Sequence, residues 1–136
     1  VRQGAGARGE KFIAAIEPMH GNQLSIYTAV NGEKLWSRNV ITDSLDQGHA
    51  LATGDFLGTG SDQIVVGWRG TRRTGKVGVK LFYPTDKKRT KWKIQLIDDN
   101  EMATEDIRVA DLNADGKPDI VAAGRATHNL KIYFNE

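Results

Sequence analysis

Short apolar runs separated by polar or glycine-bearing stretches repeat along this chain. Phe12 to Ile16 reads as a buried strand. Leu24 to Thr28 alternates, with Leu24 and Ile26 on one face. Asn31-Gly32 is a hairpin signal, and Lys34 to Ile41 predicts the returning strand. A polar connection follows from Thr42 to Gly48. His49 to Thr53 predicts a short strand of small residues that leads to Asp55. Gln63 to Trp68 predicts another strand, followed by a basic loop from Arg69 to Lys76. Val77 to Tyr83 and Lys91 to Ile97 predict a hairpin around a charged turn. Ile107 to Ala110, Ile120 to Ala123 and Leu130 to Tyr133 complete the set. So many short strands and turns predict an all-β protein.

Residues 1–10 are glycine-rich and polar and read as a loose lead-in. Gly4, Gly6 and Gly9 spell a dinucleotide-loop pattern, but that motif needs a strand before it and a helix after it, and neither is predicted.

The strand pattern recurs when the chain is shifted by 56 residues. Ile26-Tyr27 falls on Phe82-Tyr83, Trp36 on Trp92 and Val40-Ile41 on Leu96-Ile97. His49 falls on Glu105, Asp55 on Asp111, Gly60 on Gly116 and Arg69 on Arg125. Leu130 to Tyr133 falls on Leu24 to Tyr27 as a partial third copy. A unit of about four short strands cannot bury a core alone. Arranged radially, such units make the blades of a propeller. The reading is a partial blade over 11–41, a full blade over 48–97 and a partial blade over 105–134. The small residues Ala50, Ala52 and Ala110 place the first strand of each unit nearest the axis. About two and a half blades leave unpaired edges and cannot close a ring. The expectation is therefore either several copies in one ring, or missing blades from a longer chain.

Composition narrows this picture only a little. The 136 residues suffice for a real core, and 39% hydrophobic with 26% charged residues describes a globular chain. A net charge of +2 argues against nucleic acid as partner. The basic groups Arg69, Arg72, Arg73, Lys76 and Lys87, Lys88, Arg89 lack interleaved aromatics and read as solvated hairpin tips. Without cysteine there is no disulfide or thiolate site. No apolar stretch predicts a membrane span, and residues 1–11 lack a signal-peptide core.

One loop carries specific chemistry. Asp111, Asn113, Asp115, Gly116, Lys117 and Asp119 stand at positions one, three, five, six, seven and nine of a calcium-loop spacing, with Lys117 contributing its carbonyl. An EF-hand needs Glu at position twelve, where this chain has Ala122. The reading is an EF-like calcium loop set between two strands. A metal-free Asx-rich turn is the alternative. The matching loop of the preceding repeat, taken as Asp55 to Asp62, reads as one residue short. It has Leu57 and Thr59 at ligand positions and is expected to be metal-free.

A second set of candidates lies at the opposite strand ends. His49 and Glu105 occupy equivalent positions, six residues before the leading Asp of each loop. On inner strands both reach the channel mouth, where Glu17 and His20 can join them. Such a set suits proton transfer or a second divalent metal at the axis. Polar strand ends in water are the alternative. Asp106 points the other way, and His128 reads as a surface residue. Arg69 and Arg125 read as braces that donate to loop carbonyls, with recognition of a carboxylate or hydroxyls as the alternative.

The acidic loop between strands resembles the FG-GAP/VCBS repeats of integrin-like β-propellers, whose loops bind calcium. The segments 17–22, 47–51, 66–69 and 124–129 are similar to VCBS-type proteins related to the propeller of aldos-2-ulose dehydratase. The resemblance implies a larger ring of blades and an extracellular or periplasmic setting. The functions expected are a calcium-stabilised binding or scaffold module, with carbohydrate as a candidate ligand. The competing expectation is part of a metal-assisted sugar dehydratase, with His20, His49 and Glu105 as catalytic residues.

Overall fold

A computed structural model describes all residues 1–136 and contains eleven strands and no helix. The strands are β1 (Arg2–Ala5), β2 (Lys11–Glu17), β3 (Gln23–Thr28), β4 (Ser37–Thr42), β5 (Gly48–Gly54), β6 (Gln63–Trp68), β7 (Gly78–Pro84), β8 (Trp92–Asp99), β9 (Thr104–Ala110), β10 (Asp119–Gly124) and β11 (Asn129–Tyr133). They form three antiparallel meanders: β1-β2-β3-β4, β5-β6-β7-β8 and β9-β10-β11. Every neighbour in a sheet is a neighbour in sequence, so only short connections are needed.

The lead-in expectation needs correction. Arg2–Ala5 is a strand, paired with β2 from Arg2 opposite Ala14 to Ala5 opposite Lys11. Gly4 permits this pairing because the Phe12 ring lies where a side chain would be, 2.1 Å from the ideal Cβ position. The first sheet therefore has four strands, one more than the sequence reading gave it. The Asn31-Gly32 turn exists, with Gly32 at φ 82°, but β4 begins only at Ser37. Trp36 stays outside the strand and exposed, whereas its repeat mate Trp92 opens β8 and donates to the Arg89 carbonyl at 2.9 Å.

The second sheet lies between the other two. All six residues of β6 are buried, because alternate side chains serve two different cores. Ile64 and Val66 join Phe12, Leu24, Ile26 and Phe82 against the first sheet. Val65 joins Val79, Leu81, Ile107, Ile120 and Ala122 against the third. Fully burying one such side chain contributes roughly 1.5–3 kcal/mol, so these two layers dominate the stability. The sheets meet closely through their leading strands, β1 and β2 on β5, then β5 and β6 on β9. Burial falls away toward the last strand: β4 has no buried residue, and β8 has only Asp98. One close approach sets the spacing of sheets two and three. A Cβ on Gly67 would meet the Thr104 side chain at 2.3 Å.

The free face of the third sheet is apolar on β10 and β11 and charged on β9, where Arg108 and Asp106 stand beside Val121 and Ala123. Val121 pairs with Ile132 and Ala123 with Leu130, and Leu130 and Ile132 are exposed. No helix is long and apolar enough to cross a membrane.

One basic residue departs from its expected place. Arg89 was read as part of a solvated tip, yet it is only 6% exposed. Its guanidinium lies 4.3 Å over the Phe12 ring. It donates to the Ala5 and Asp62 carbonyls, each at 3.3 Å, and to Ser61 Oγ at 2.6 Å. It ties the β7–β8 turn to the first sheet.

Candidate functional site

The oxygen-rich loop links β9 to β10. Its conformation is set by its own carboxylates. Asp111 accepts the Asp115 N–H at 3.2 Å through Oδ1 and the Gly116 N–H at 2.9 Å through Oδ2. Asp115 accepts the Lys117 N–H at 2.8 Å and the Asn113 amide at 3.0 Å. Those two bonds, the backbone one first, hold the Asp115 carboxyl below its ordinary value. Ala114 and Gly116 take positive φ, 60° and 84°, which turns the chain back sharply. Asp119 is fully buried. It accepts the Leu112 N–H at 2.8 Å and the Asn135 N–H at 2.9 Å.

None of Asp111, Asp115 or Asp119 forms an ion pair with a Lys, Arg or His. No three His, Cys, Asp or Glu side chains converge as a ready-made metal cage anywhere in the chain. A cation at this loop therefore has to draw on the Asn113 amide oxygen and the Lys117 carbonyl as well as on carboxylates. That mixture of oxygen donors suits a hard ion such as calcium.

The preceding repeat has the same loop scaffold. Asp55 accepts the Thr59 N–H at 2.8 Å and the Gly60 N–H at 2.7 Å. Gly58 and Gly60 take φ 61° and 73°, matching Ala114 and Gly116. The two loops are of equal length, which corrects the reading that ended the first at Asp62. The residue equivalent to Asp119 is Gln63, 2% exposed, whose Oε1 accepts the Leu57 N–H at 2.9 Å. Its Nε2 donates to Asp55 Oδ1 at 3.4 Å, to Thr59 Oγ1 at 3.2 Å and to the Ser61 carbonyl. Those oxygens belong to loop positions one, five and seven. In this loop an amide nitrogen stands among the oxygens that a metal would gather. Asp119 has no N–H to offer in the same place.

The second cluster forms where β5 and β9 begin and where β2, β6 and β10 end. His49 Nδ1 is 2.7 Å from the Glu105 carbonyl, and its Nε2 is 3.5 Å from Glu105 Oε2. The His20 ring stacks on His49 with centroids 4.6 Å apart. Arg69 Nη1 donates to both Glu105 carboxylate oxygens, at 2.7 and 2.6 Å. Arg125 Nε approaches the same carboxylate at 3.5 Å. The fold thus brings His20, His49 and Glu105 together. It adds both repeat-aligned arginines, which brace a carboxylate rather than the carbonyls expected. The repeat alignment held the signal, since it placed Arg69 and Arg125 at corresponding strand ends.

Hydrogen bonding from Arg69 holds the Glu105 carboxyl below its ordinary value, against an opposing push from burial. Glu105 is therefore a poor base, and the two imidazoles remain the side chains suited to proton transfer. Two guanidinium groups already surround the only carboxylate, so the cluster carries net positive charge without counting the imidazoles. It does not fit the second divalent metal expected at this position.

Glu17 stays apart from this group. It accepts from Ser25 Oγ at 3.2 Å, from the Tyr27 hydroxyl and from Arg38, whose Nε lies at 2.9 Å. Burial pushes its pKa up, but the Tyr27 and Arg38 bonds outweigh that and lower it overall. Asp106 pairs with Arg108 at 3.1 Å, and His128 is exposed.

Sequence reasoning missed a further polar group, between sheets two and three. Buried Asp98 receives Lys131 Nζ at 2.9 Å, the Tyr133 hydroxyl at 2.8 Å and the Glu101 N–H at 2.9 Å. No protein-family model matches the sequence, and no curated protein matches it either.

Proposed function

We propose that the three meanders are blades of a β-propeller, and that the chain serves as a calcium-stabilised binding module. The repeat of 56 residues and the contacts among β1, β5 and β9 support the blade reading. The observation that carries the calcium reading is the pair of equivalent loops. Gln63 Nε2 fills the centre of one with an internal donor. Asp119 leaves the other with carboxylate, amide and carbonyl oxygens and no counter-cation.

The test is thermal unfolding of the whole chain across a calcium titration. For a Kd of about 0.1 mM, 10 mM calcium stabilises the fold by about 2.7 kcal/mol. Asp119→Gln is expected to abolish this response by placing an amide where the ion would sit. Asp115→Asn is expected to weaken calcium binding at least ~10-fold with little change in the calcium-free transition. A parent protein indifferent to 10 mM calcium sinks the reading.

The remaining blades come from further copies or from a longer chain. The exposed apolar residues Leu130 and Ile132 on the edge strand of the third sheet support a partner there. Light scattering on a sizing column checks self-association: a discrete oligomer supports the shared ring, and a monomer refutes that version. Carbohydrate is the ligand class proposed for the module, on the resemblance to sugar-processing propellers. The juxtaposed imidazoles of His20 and His49 beside Glu105 favour one second reading, a sugar dehydratase using acid–base chemistry. His49→Ala should abolish turnover of a keto-sugar under that reading and leave the calcium response intact. Undiminished turnover in that variant rejects it.

A further inference from the structure

A cleft of about 680 Å³ belongs to neither site. It opens between the β1–β2 turn, the β5–β6 loop and the β7–β8 turn, and its lining includes Arg8, Glu10, Ser61, Tyr83, Lys87 and Arg89. Its size is that of a small-molecule site. Most of the lining residues are polar or charged.

Arg89 is the unusual group. It is nearly buried, yet it has no carboxylate within ion-pair distance. Buried charges are ordinarily paired, because desolvation of an ion is costly. Its partners are the neutral oxygens of Ala5, Ser61 and Asp62, which take N–H groups of Nη1 and Nη2. Its Nε has no protein acceptor. No polar side-chain atom is sealed away without a partner. Nε is therefore not sealed from solvent, and Arg89 is among the residues that line the cleft. Arg8 and Lys87, on two different turns, are likewise free of ion pairs.

The acidic residues of the cleft offset this charge incompletely. Asp86 is spent on its own turn, accepting from the Thr90 N–H, the Thr90 hydroxyl and the Lys91 N–H. Glu10 accepts the Arg8 N–H at 2.9 Å. The lining itself holds three cations and two carboxylates, and Asp62, just outside it, acts on Arg89 from beyond ion-pair distance together with Glu10.

We infer that this cleft binds a small ligand bearing an oxyanion, a carboxylate, sulfate or phosphate group. Arg89 supplies a charge-assisted donor from the floor, and Arg8 and Lys87 approach from the rim. Such a group satisfies the guanidinium that the fold leaves without a direct ion-pair partner. Glu10 opposes it and limits affinity.

The experiment is an amide-shift NMR titration of the full chain with sodium sulfate, sodium phosphate and sodium glucuronate. Sodium chloride at matched ionic strength and glucose serve as controls. Saturable shifts are expected in residues 6–10, 57–63 and 83–89 with the three oxyanions and not with the controls. The ranking of the three identifies the source of the group. The double variant Arg8→Ala/Lys87→Ala leaves the Arg89 contacts intact, and should lose at least ~10-fold in affinity. Glu10→Gln should bind several-fold tighter. Shifts that grow linearly without saturation overturn the inference. So does equal response to chloride or glucose, or undiminished binding in the folded double variant.

Discussion

Asp98 and Asp99 are neighbours in sequence, yet the structure predicts opposite outcomes on replacing them. The Asp98 side chain is 3% exposed and receives three hydrogen bonds, one of them from the Lys131 ammonium. Asp99 pairs with Lys76 at 2.9 Å, but both side chains are 55% exposed. Asp98→Ala strips the acceptor from a half-buried Tyr133 hydroxyl and leaves Lys131 only the exposed Glu101. Hydrogen bonds to a buried charge contribute about 1.5–3 kcal/mol each but do not add fully. The expected loss is about 3 kcal/mol, roughly 10 °C in Tm for a domain of this size. Asp99→Ala should cost no more than about 0.5 kcal/mol, since water screens an exposed pair.

The assay is urea unfolding of parent and both variants, followed by tryptophan fluorescence at several pH values. The pH dependence provides an independent check. Burial pushes the Asp98 pKa up, but Lys131 and Tyr133 outweigh that and hold it below its ordinary value. A lowered folded pKa means the unfolded chain binds the proton more tightly. The stabilisation is therefore present above the unfolded value, near ~4, and is lost as pH falls through the folded one. The gap between parent and Asp98→Ala should narrow in acid. Tyr133 shifts the other way, raised by burial and by Asp98, so its contribution is lost only as pH rises past the ordinary tyrosine range, about 10. Equal losses in Asp98→Ala and Asp99→Ala would refute the argument from burial. A gap independent of pH would refute the assignment to the charged carboxylate.

Two further outcomes follow from close contacts. Gly67→Ala should destabilise by about 2–3 kcal/mol in urea unfolding, because the new methyl meets Thr104 across the interface of sheets two and three. A neutral result would mean that those sheets separate easily. Glu105→Ala should cost about 2 kcal/mol by leaving the mostly buried Arg69 without its carboxylate. Glu105→Gln should cost less by keeping an acceptor, and equal losses in the same assay would count against the charge pair.

The alternation of apolar and polar residues determined the strands, because a side-chain period of two is a local property of an extended chain. Spacing likewise fixed the turn-forming carboxylate of each acidic loop, since Asp111 and Asp55 bond to amides only four and five residues away. The repeat register aligned His49 with Glu105 and Arg69 with Arg125. It could not say that one carboxylate gathers both arginines, because the Arg69–Glu105 pair crosses between sheets. Arg89 shows the same division. Beside Lys87 and Lys88 its sequence context is that of a solvated turn, yet packing on Phe12 and two distant carbonyls draws it inside. Arg2–Ala5 has too few apolar residues to announce a strand, and becomes one because β2 offers a free edge and Gly4 makes room for Phe12. Local periodicity and spacing were therefore written in the chain. Which charge is buried, and which partner meets it, was decided only when sheets far apart in sequence came into contact.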